Sequence, residues 1–166
     1  MKREFPDHPI VGVGGVVVCR GRVLLIRRRN EPLKGAWSIP GGLLELGEEL
    51  AEGVRRELKE ETGLDVEPLE ILATFDRIFL DGPRVRYHYV IVDYACRWKR
   101  GRLRPASDVL DARWVRRQDL PQYHLTPMAT AVVHQAFEFF RKPIPSQLKQ
   151  RDQRVSRTLN RPPHSF

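Results

Sequence analysis

The alternation of apolar and polar positions divides this chain of 166 residues into segments with the periods of strands and helices. Five segments have the apolar runs, or the enrichment in β-branched and aromatic residues, that predict strands: 10–19, 23–29, 69–80, 84–98 and 112–116. The turn residues Arg20-Gly21 join the first two into a hairpin, and Asp81-Gly82-Pro83 joins the next two into a long antiparallel pair. Residues 30–42 and 99–111 are predicted to be loops.

Two further segments repeat apolar residues every three or four positions, which is the period of an amphipathic helix. The first lies within residues 42–64, where Gly63 predicts a left-handed cap at the end of the helix. The second is 126–140, in which Thr126 is the expected N-cap and a proline follows in the first turn. The order of these elements predicts an α/β fold, with a mixed sheet that has helices on both faces.

Two details of the predicted strands bear on the position of a binding site. Gly14 and Gly15 interrupt the first strand, which indicates a bulge or a close approach of another group to the backbone. Alternate positions of 84–98 share one face of that strand: Val85, Tyr87, Tyr89, Ile91 and Asp93. The mixture of polar and apolar residues indicates that part of the strand faces solvent or a cleft.

The formal net charge of +8 is unevenly distributed. Residues 142–166 contain six basic residues, one acidic residue and four prolines, so we expect one domain at 1–141 and a basic tail at 142–166. A basic balance favours anionic partners such as nucleotides, whereas nucleic acid binding has no support beyond the tail. No apolar run is long enough for a membrane span or a signal peptide, so we expect a cytoplasmic protein without membrane contact.

Three acidic residues of the first predicted helix, Glu57, Glu60 and Glu61, are spaced so that their carboxylates emerge side by side within one turn. Like charges at this spacing repel each other, and a divalent cation that prefers oxygen ligands would convert the repulsion into attraction. The alternative is a solvated acidic helix face, because most charge runs on helices are exposed surface.

The complete stretch 42–64 reads Gly, five residues, Glu, seven residues, Arg-Glu-Leu, one residue, Glu-Glu, one residue, Gly-Leu. With every specified position filled, it resembles the signature of the Nudix hydrolases, the superfamily that includes the MutT-like pyrophosphohydrolases. The resemblance implies an α/β/α sandwich. It also implies metal-dependent hydrolysis of a pyrophosphate bond in a nucleoside diphosphate linked to another moiety, with release of a nucleoside monophosphate. ADP-ribose, nucleotide sugars and (deoxy)nucleoside triphosphates all stay open as substrates.

The resemblance also implies roles for individual residues of the signature. The implied metal ligands are hard oxygen donors that suit Mg²⁺ or Mn²⁺: the Gly42 carbonyl and the carboxylates of Glu57, Glu60 and Glu61. Arg56 is expected to pair with Glu48 and to hold the preceding loop on the helix. The residues assigned to the catalytic machinery are therefore Glu57, Glu60, Arg56 and Glu48.

The general base and the substrate contacts are less closely defined by the sequence. Some relatives use a glutamate of the signature helix as the base, and others use an acid from a later loop, for which Asp108 and Asp111 are the candidates here. Arg27, Arg28 and Arg29 are expected near the cleft entrance, where at least one could hold a phosphate, although alternate strand positions point away from each other. Arg27 and Arg29 are assigned as the substrate contacts. Trp37 is either a wall on which a nucleobase stacks or an anchor of the core.

A second function stays open, that of a non-catalytic Nudix-fold protein that senses a nucleotide or binds RNA. Relatives of that kind usually lose signature acids, and this chain keeps all of them. The enzyme is therefore favoured, with a nucleotide-type small molecule as substrate. Because homodimers are frequent among Nudix enzymes, a homodimer is also open.

Overall fold

The computed structural model describes residues 2–106 and 109–142 of the chain, and its centre is a seven-stranded sheet. The strands are β1 (Ile10–Cys19), β2 (Arg22–Arg28), β3 (Trp37–Ser38), β4 (Gly41–Leu43), β5 (Asp65–Asp81), β6 (Arg84–Arg100) and β7 (Val109–Arg116). The helices are α1 (Leu50–Thr62), a 3-10 helix (Arg117–Tyr123) and α2 (Pro127–Arg141). The predicted α/β class is confirmed.

The sheet is mixed because one central pair of strands is parallel. The main path runs β3-β2-β1-β6-β5, while β4 pairs with β1 and β7 pairs with β2. Strands β1 and β6 are parallel, with Ile10 opposite Tyr89 and Gly14 opposite Asp93. Strand β4 runs antiparallel to β1 and places Gly41 opposite Gly14. Two glycines and one acid that matter below, Gly14, Gly41 and Asp93, are therefore neighbours in the sheet.

Alternate residues of the central strands pack against helices on opposite faces, as the period of a strand requires. Val17 of β1 belongs to a core cluster with Leu58 of α1, whereas Val16 belongs to a cluster with Val132 and Ala136 of α2. The two clusters form separate layers on the two sides of the sheet. The predicted α/β/α sandwich is confirmed.

Local signals at the helix ends are also confirmed. Gly63 follows α1 with a left-handed backbone (φ 75°), and its N–H donates to the carbonyl of Lys59. Thr126 precedes α2, and its hydroxyl oxygen accepts a hydrogen bond from the N–H of Ala129 at 3.2 Å. Helix α1 begins after Glu49, which forms a capping box with Glu52.

Several predicted boundaries were wrong where long-range pairing extends an element into polar sequence. Strands β5 and β6 include charged ends that pair across the ladder, such as Arg97 with Glu67 at 2.9 Å and Arg100 with Asp65 at 3.0 Å. Strand β3 and the start of β4 lie in the segment 30–42 that was predicted to be a loop. The predicted loop at 99–111 is shorter than expected, because β6 continues to Arg100 and β7 already begins at Val109. Strand β2 lies one residue earlier than predicted, and the 3-10 helix was not predicted.

Within the described ranges, the structure contains no helix that is long and apolar enough to cross a bilayer. The predicted division at 141/142 and the tail stay predictions, since residues 143–166 lie outside the described residues. The cytoplasmic location is likewise a prediction.

Candidate active site

A cavity of about 650 Å³ lies beside the signature helix. It is lined by residues of the strands β1 to β6, of α1 and α2, and of the segment 29–32. Three acids of α1 reach it, namely Glu57, Glu60 and Glu61. The three predicted metal-binding carboxylates therefore share one cavity, together with both glycines of β4.

Glu61 lies in the wall of this cavity with only 6% of its surface exposed. Its carboxylate accepts a hydrogen bond of 2.7 Å from the backbone N–H of Gly41. The carbonyl of Gly41 in turn accepts one of 3.1 Å from Arg28, whose Nε also donates to the hydroxyl of Ser38 at 2.9 Å. The backbone of Gly41 in β4 is thus hydrogen-bonded both to Glu61 of α1 and to Arg28 of β2.

Arg56 connects the signature helix to the loop that precedes it. Its guanidinium donates to both carboxylate oxygens of Glu48, at 2.8 and 2.9 Å, and to the carbonyl of Leu43 at 2.9 Å. It also reaches Glu57 at 2.9 Å and Glu60 at 3.4 Å. These hydrogen bonds to Arg56 hold the pKa of Glu48 below its usual range, and Glu48 in turn raises the pKa of Arg56. The expected pair of Arg56 and Glu48 is present.

Strand β4 passes close to Glu57 at Gly42. A Cβ atom at this position would lie 2.4 Å from Oε2 of Glu57, which is closer than atoms pack. Glycine therefore lets the backbone of β4 lie against the carboxylate of Glu57 in its observed position.

The donor set fits a divalent cation in its chemistry, since it consists of carboxylates and a glycine backbone around one cavity. In the orientations observed, Glu57 and Glu60 accept hydrogen bonds from Arg56, and Glu61 accepts one from Gly41. Within residues 2–106 and 109–142, no three His, Cys, Asp or Glu side chains already converge on one point as ligands.

The sheet contributes the opposite wall of the cavity through alternate residues of two neighbouring strands. They are Phe75 and Arg77 of β5, and Tyr89, Ile91 and Asp93 of β6. The prediction that part of this face of β6 lines a cleft is confirmed.

Asp93 is the most buried acid of that wall, with 4% of its surface exposed. Burial raises its pKa to about 6, against the opposing effect of the positive charges of Arg77 and Arg28. A Cβ atom at Gly14 would lie 2.1 Å from its carboxylate, so the predicted close approach at that glycine is confirmed.

Not every residue expected at the site lies in the cavity. Arg29 lines it, together with Arg28. Arg27 is not among the lining residues; its Nε donates to the carbonyl of Gly35 at 2.9 Å. Trp37 also lies outside the lining, with its ring 5.0 Å from that of Tyr123 and packed on the core cluster of α2.

The two loop acids considered as general base have different outcomes. Asp111 lies in β7, directly opposite Arg27, and its carboxylate accepts a hydrogen bond of 2.8 Å from Arg113. It does not line the cavity. Asp108 lies outside the described residues.

The sequence placed Arg28 near the cleft entrance without assigning it to the site, and it gave no site role to Arg77 or Asp93. Alternation along β6 already placed Asp93 on the face of Tyr89, and its burial was the missing observation. Among the three consecutive arginines, alternation along the strand predicts that Arg28 faces away from Arg27 and Arg29, and Arg27 and Arg29 were the two assigned to the substrate.

The model of the family described as NUDIX domain matches residues 8–137, which include every element from β1 to most of α2. The chain belongs to the Nudix family. The match covers more than three quarters of the chain and includes Arg56, Glu57, Glu60 and Glu61, the residues of α1 that line the cavity.

Similar proteins support the assignment to the Nudix family. An ADP-ribose pyrophosphatase of Methanocaldococcus jannaschii is 34% identical over 115 residues, which are 69% of this chain and 66% of that protein. A putative ADP-ribose pyrophosphatase of Bacillus subtilis is 32% identical over 142 residues, which are 86% of this chain and 66% of that protein. The chain thus spans just under two thirds of the length of these curated relatives.

The solved structure of a MutT NUDIX hydrolase from Burkholderia pseudomallei has the same fold. It superposes with a TM-score of 0.68 at 31% identity, over 78% of this chain and 98% of the other. The layered arrangement around the cavity is therefore that of a Nudix domain.

Proposed function

We propose that this Nudix protein hydrolyses the pyrophosphate bond of a nucleoside diphosphate linked to another moiety, with release of a nucleoside monophosphate. The observation that carries the proposal is the convergence on one cavity of three signature glutamates with Arg28, the last residue of β2, and Arg29, which follows it. Two relatives named as ADP-ribose pyrophosphatases make ADP-ribose the first substrate to test.

The reaction would depend on a divalent cation, Mg²⁺ or Mn²⁺. Glu57 and Glu61 would hold it after rotation of their side chains, with Glu60 and the carbonyl of Gly42 as further oxygen donors. A cation there would supply charge neutralisation for the phosphate oxygens and activation of a water molecule.

Other residues of the cavity would act as general base, as phosphate contacts and as a positioning residue. Glu60 is the candidate general base, because 58% of its side chain is exposed and a water molecule can reach it. Arg28 and Arg29 would bind the phosphates as charge-assisted donors. Arg56 would keep the acids of α1 and the loop at Glu48 in register, through the hydrogen bonds described above.

The test is product release from ADP-ribose, nucleotide sugars and nucleoside triphosphates, each with Mg²⁺, with Mn²⁺ and with chelator. Wild type is compared with Glu57→Gln and Glu61→Gln, which remove one negative charge each from the cavity. We expect metal-dependent cleavage of at least one compound, and a fall in turnover of roughly a hundredfold or more in both variants. Glu70→Gln is the matched control, because Glu70 is an exposed residue of β5 outside the cavity.

Wild-type turnover in either cavity variant would contradict the role of the acids. If every compound is bound but none is cleaved, the protein is a nucleotide sensor and the proposed hydrolysis is wrong.

A further inference from the structure

A short N-terminal segment, residues 2–5, crosses the start of β6 and is fastened there by several contacts; we call it the N-terminal strap. The hydroxyl of Tyr87 donates to the carboxylate of Glu4, and Arg86 donates to the same carboxylate at 3.1 Å. The backbone N–H of Phe5 donates to the carbonyl of Arg86 at 2.8 Å. The guanidinium of Arg84 lies 4.2 Å from the centre of the Phe5 ring. The position of the strap on β6 is therefore defined by side-chain and backbone contacts together.

The strap brings Arg3 to the cavity. Arg3 is one of its lining residues, and so is Tyr89, which lies two positions beyond the anchor at Tyr87. Burial raises the pKa of Tyr89, while the positive charge of Arg3 acts in the opposite direction, so the guanidinium is close enough to influence the phenol. Two separate observations thus place the same charge beside β6 at the cavity.

Arg3 has no acidic partner among the residues that the structure describes, in contrast to Glu4 and Arg86 on either side of the contact. The guanidinium of Arg3 is exposed, and the contacts that fix this segment on β6 are made by Glu4. The N–H donors of Arg3 are therefore available to a ligand. Phosphate oxygens are the ligands that such a planar cation binds best. Arg3 approaches from β6, whereas the three signature acids approach from α1.

We infer that Arg3 binds a phosphate of the substrate, and that the N-terminal strap is a positioning element of the active site. The inference rests on the proposed function, since it requires a diphosphate ligand in the cavity. It assigns substrate binding to a residue far from the signature in sequence. Glu4 is the positioning residue, because it holds the strap on β6 and does not itself line the cavity.

The first experiment measures the Kd values of ADP-ribose, ADP and adenosine in the presence of chelator, so that binding is observed without hydrolysis. Arg3→Gln should weaken the binding of ADP-ribose and ADP about tenfold, as expected for one partly exposed charge-assisted hydrogen bond, and leave adenosine binding unchanged. Lys2→Gln is the matched control, since it removes a neighbouring positive charge that does not line the cavity. Equal effects of Arg3→Gln and Lys2→Gln on ADP binding would overturn the inference.

The second experiment tests whether the strap acts through Arg3. Glu4→Gln should weaken ADP binding in the same direction, and the double variant Arg3→Gln/Glu4→Gln should bind ADP no more weakly than Arg3→Gln alone. Additive losses would show that Glu4 affects the site independently of Arg3, and would overturn the role of the strap.

Activity separates this inference from the proposed function. If wild type cleaves a diphosphate substrate, Arg3→Gln should raise its KM about tenfold with little change in kcat. If wild type neither binds nor cleaves any compound of the panel, the proposed function itself fails. If wild type is active and Arg3→Gln retains its KM, only the inference about Arg3 is wrong.

Discussion

Glu61 and Asp93 are two nearly buried acids of the same cavity, and their surroundings differ. Glu61 accepts a hydrogen bond from the backbone N–H of Gly41 at the edge of α1 and β4. Asp93 lies against Gly14 in the sheet, where burial raises its pKa to about 6 although Arg77 and Arg28 oppose the shift. At the scale of single residues, two carboxylates of the same cavity thus have different surroundings: a backbone hydrogen bond for Glu61, and a buried position in the sheet for Asp93.

The raised pKa of Asp93 predicts a pH-dependent cost of stability. Because the folded state holds this proton more tightly than the unfolded chain, the contribution of Asp93 is favourable in acid and is lost as the pH rises through about 6. From pH 4 to pH 8, the free energy of unfolding of Asp93→Asn should therefore rise relative to that of wild type, by at most about 3 kcal/mol. Urea unfolding at both pH values measures the gain.

Asp7→Asn is the control for the titration of Asp93, because Asp7 is an exposed acid. Its free energy of unfolding should follow wild type at both pH values. A constant difference between Asp93→Asn and wild type across this pH range would contradict the raised pKa.

At the scale of elements, the site depends on how closely β4 approaches α1. Strand β4 is only three residues long, and its pairing with β1 places Gly42 opposite Val13 and against the carboxylate of Glu57. Arg56 holds the same two elements together from the outer side, through the carbonyl of Leu43. The geometry of the acids is therefore a property of the β4–α1 contact as well as of α1.

Gly42→Ala should disturb this contact without disturbing the fold. The added Cβ would lie 2.4 Å from Oε2 of Glu57, and the flexible carboxylate would have to move away. We expect turnover to fall at least about tenfold, while the midpoint of thermal unfolding changes little.

Gly47→Ala should give the opposite result. Gly47 has a positive φ of 83° and no atom within 4 Å of an added Cβ, so alanine strains the backbone and displaces nothing. It should lower stability by about 1 kcal/mol and leave turnover intact. Normal turnover in Gly42→Ala would show that the approach of β4 to Glu57 is unimportant.

At the scale of the whole molecule, the layers that form the site end with α2. This helix ends at Arg141, and the family match ends at residue 137. The domain at 1–141 stays a prediction, and among the described residues the core clusters consist of residues up to and including α2.

Removal of residues 143–166 should therefore leave the core folded. We expect cooperative thermal unfolding of the truncated chain, with a midpoint within a few degrees of wild type, and unchanged turnover of the substrate identified in the panel. Loss of cooperative unfolding would show that this segment is structural.

The sequence by itself determined the features that depend on residues a few positions apart. The bounds of β1, the amphipathic stripe of α1 and the caps at Gly63 and Thr126 follow from local periodicity and local hydrogen bonds, and the structure agrees with each. The signature in 42–64 is a pattern of the same local kind, and it was sufficient to identify the family.

Only the tertiary structure decided which polar side chains share the cavity. The ladder between β2 and β7 has an irregularity at Arg27 and Arg28, and Arg28 and Arg29 line the cavity whereas Arg27 does not. The burial of Asp93 depends on the pairing of strands. Arg3 reaches the cavity because its neighbour Glu4 contacts Arg86, which lies more than 80 residues away in sequence. Such contacts depend on register, burial and solvent exclusion between distant segments, which no local pattern of residues encodes.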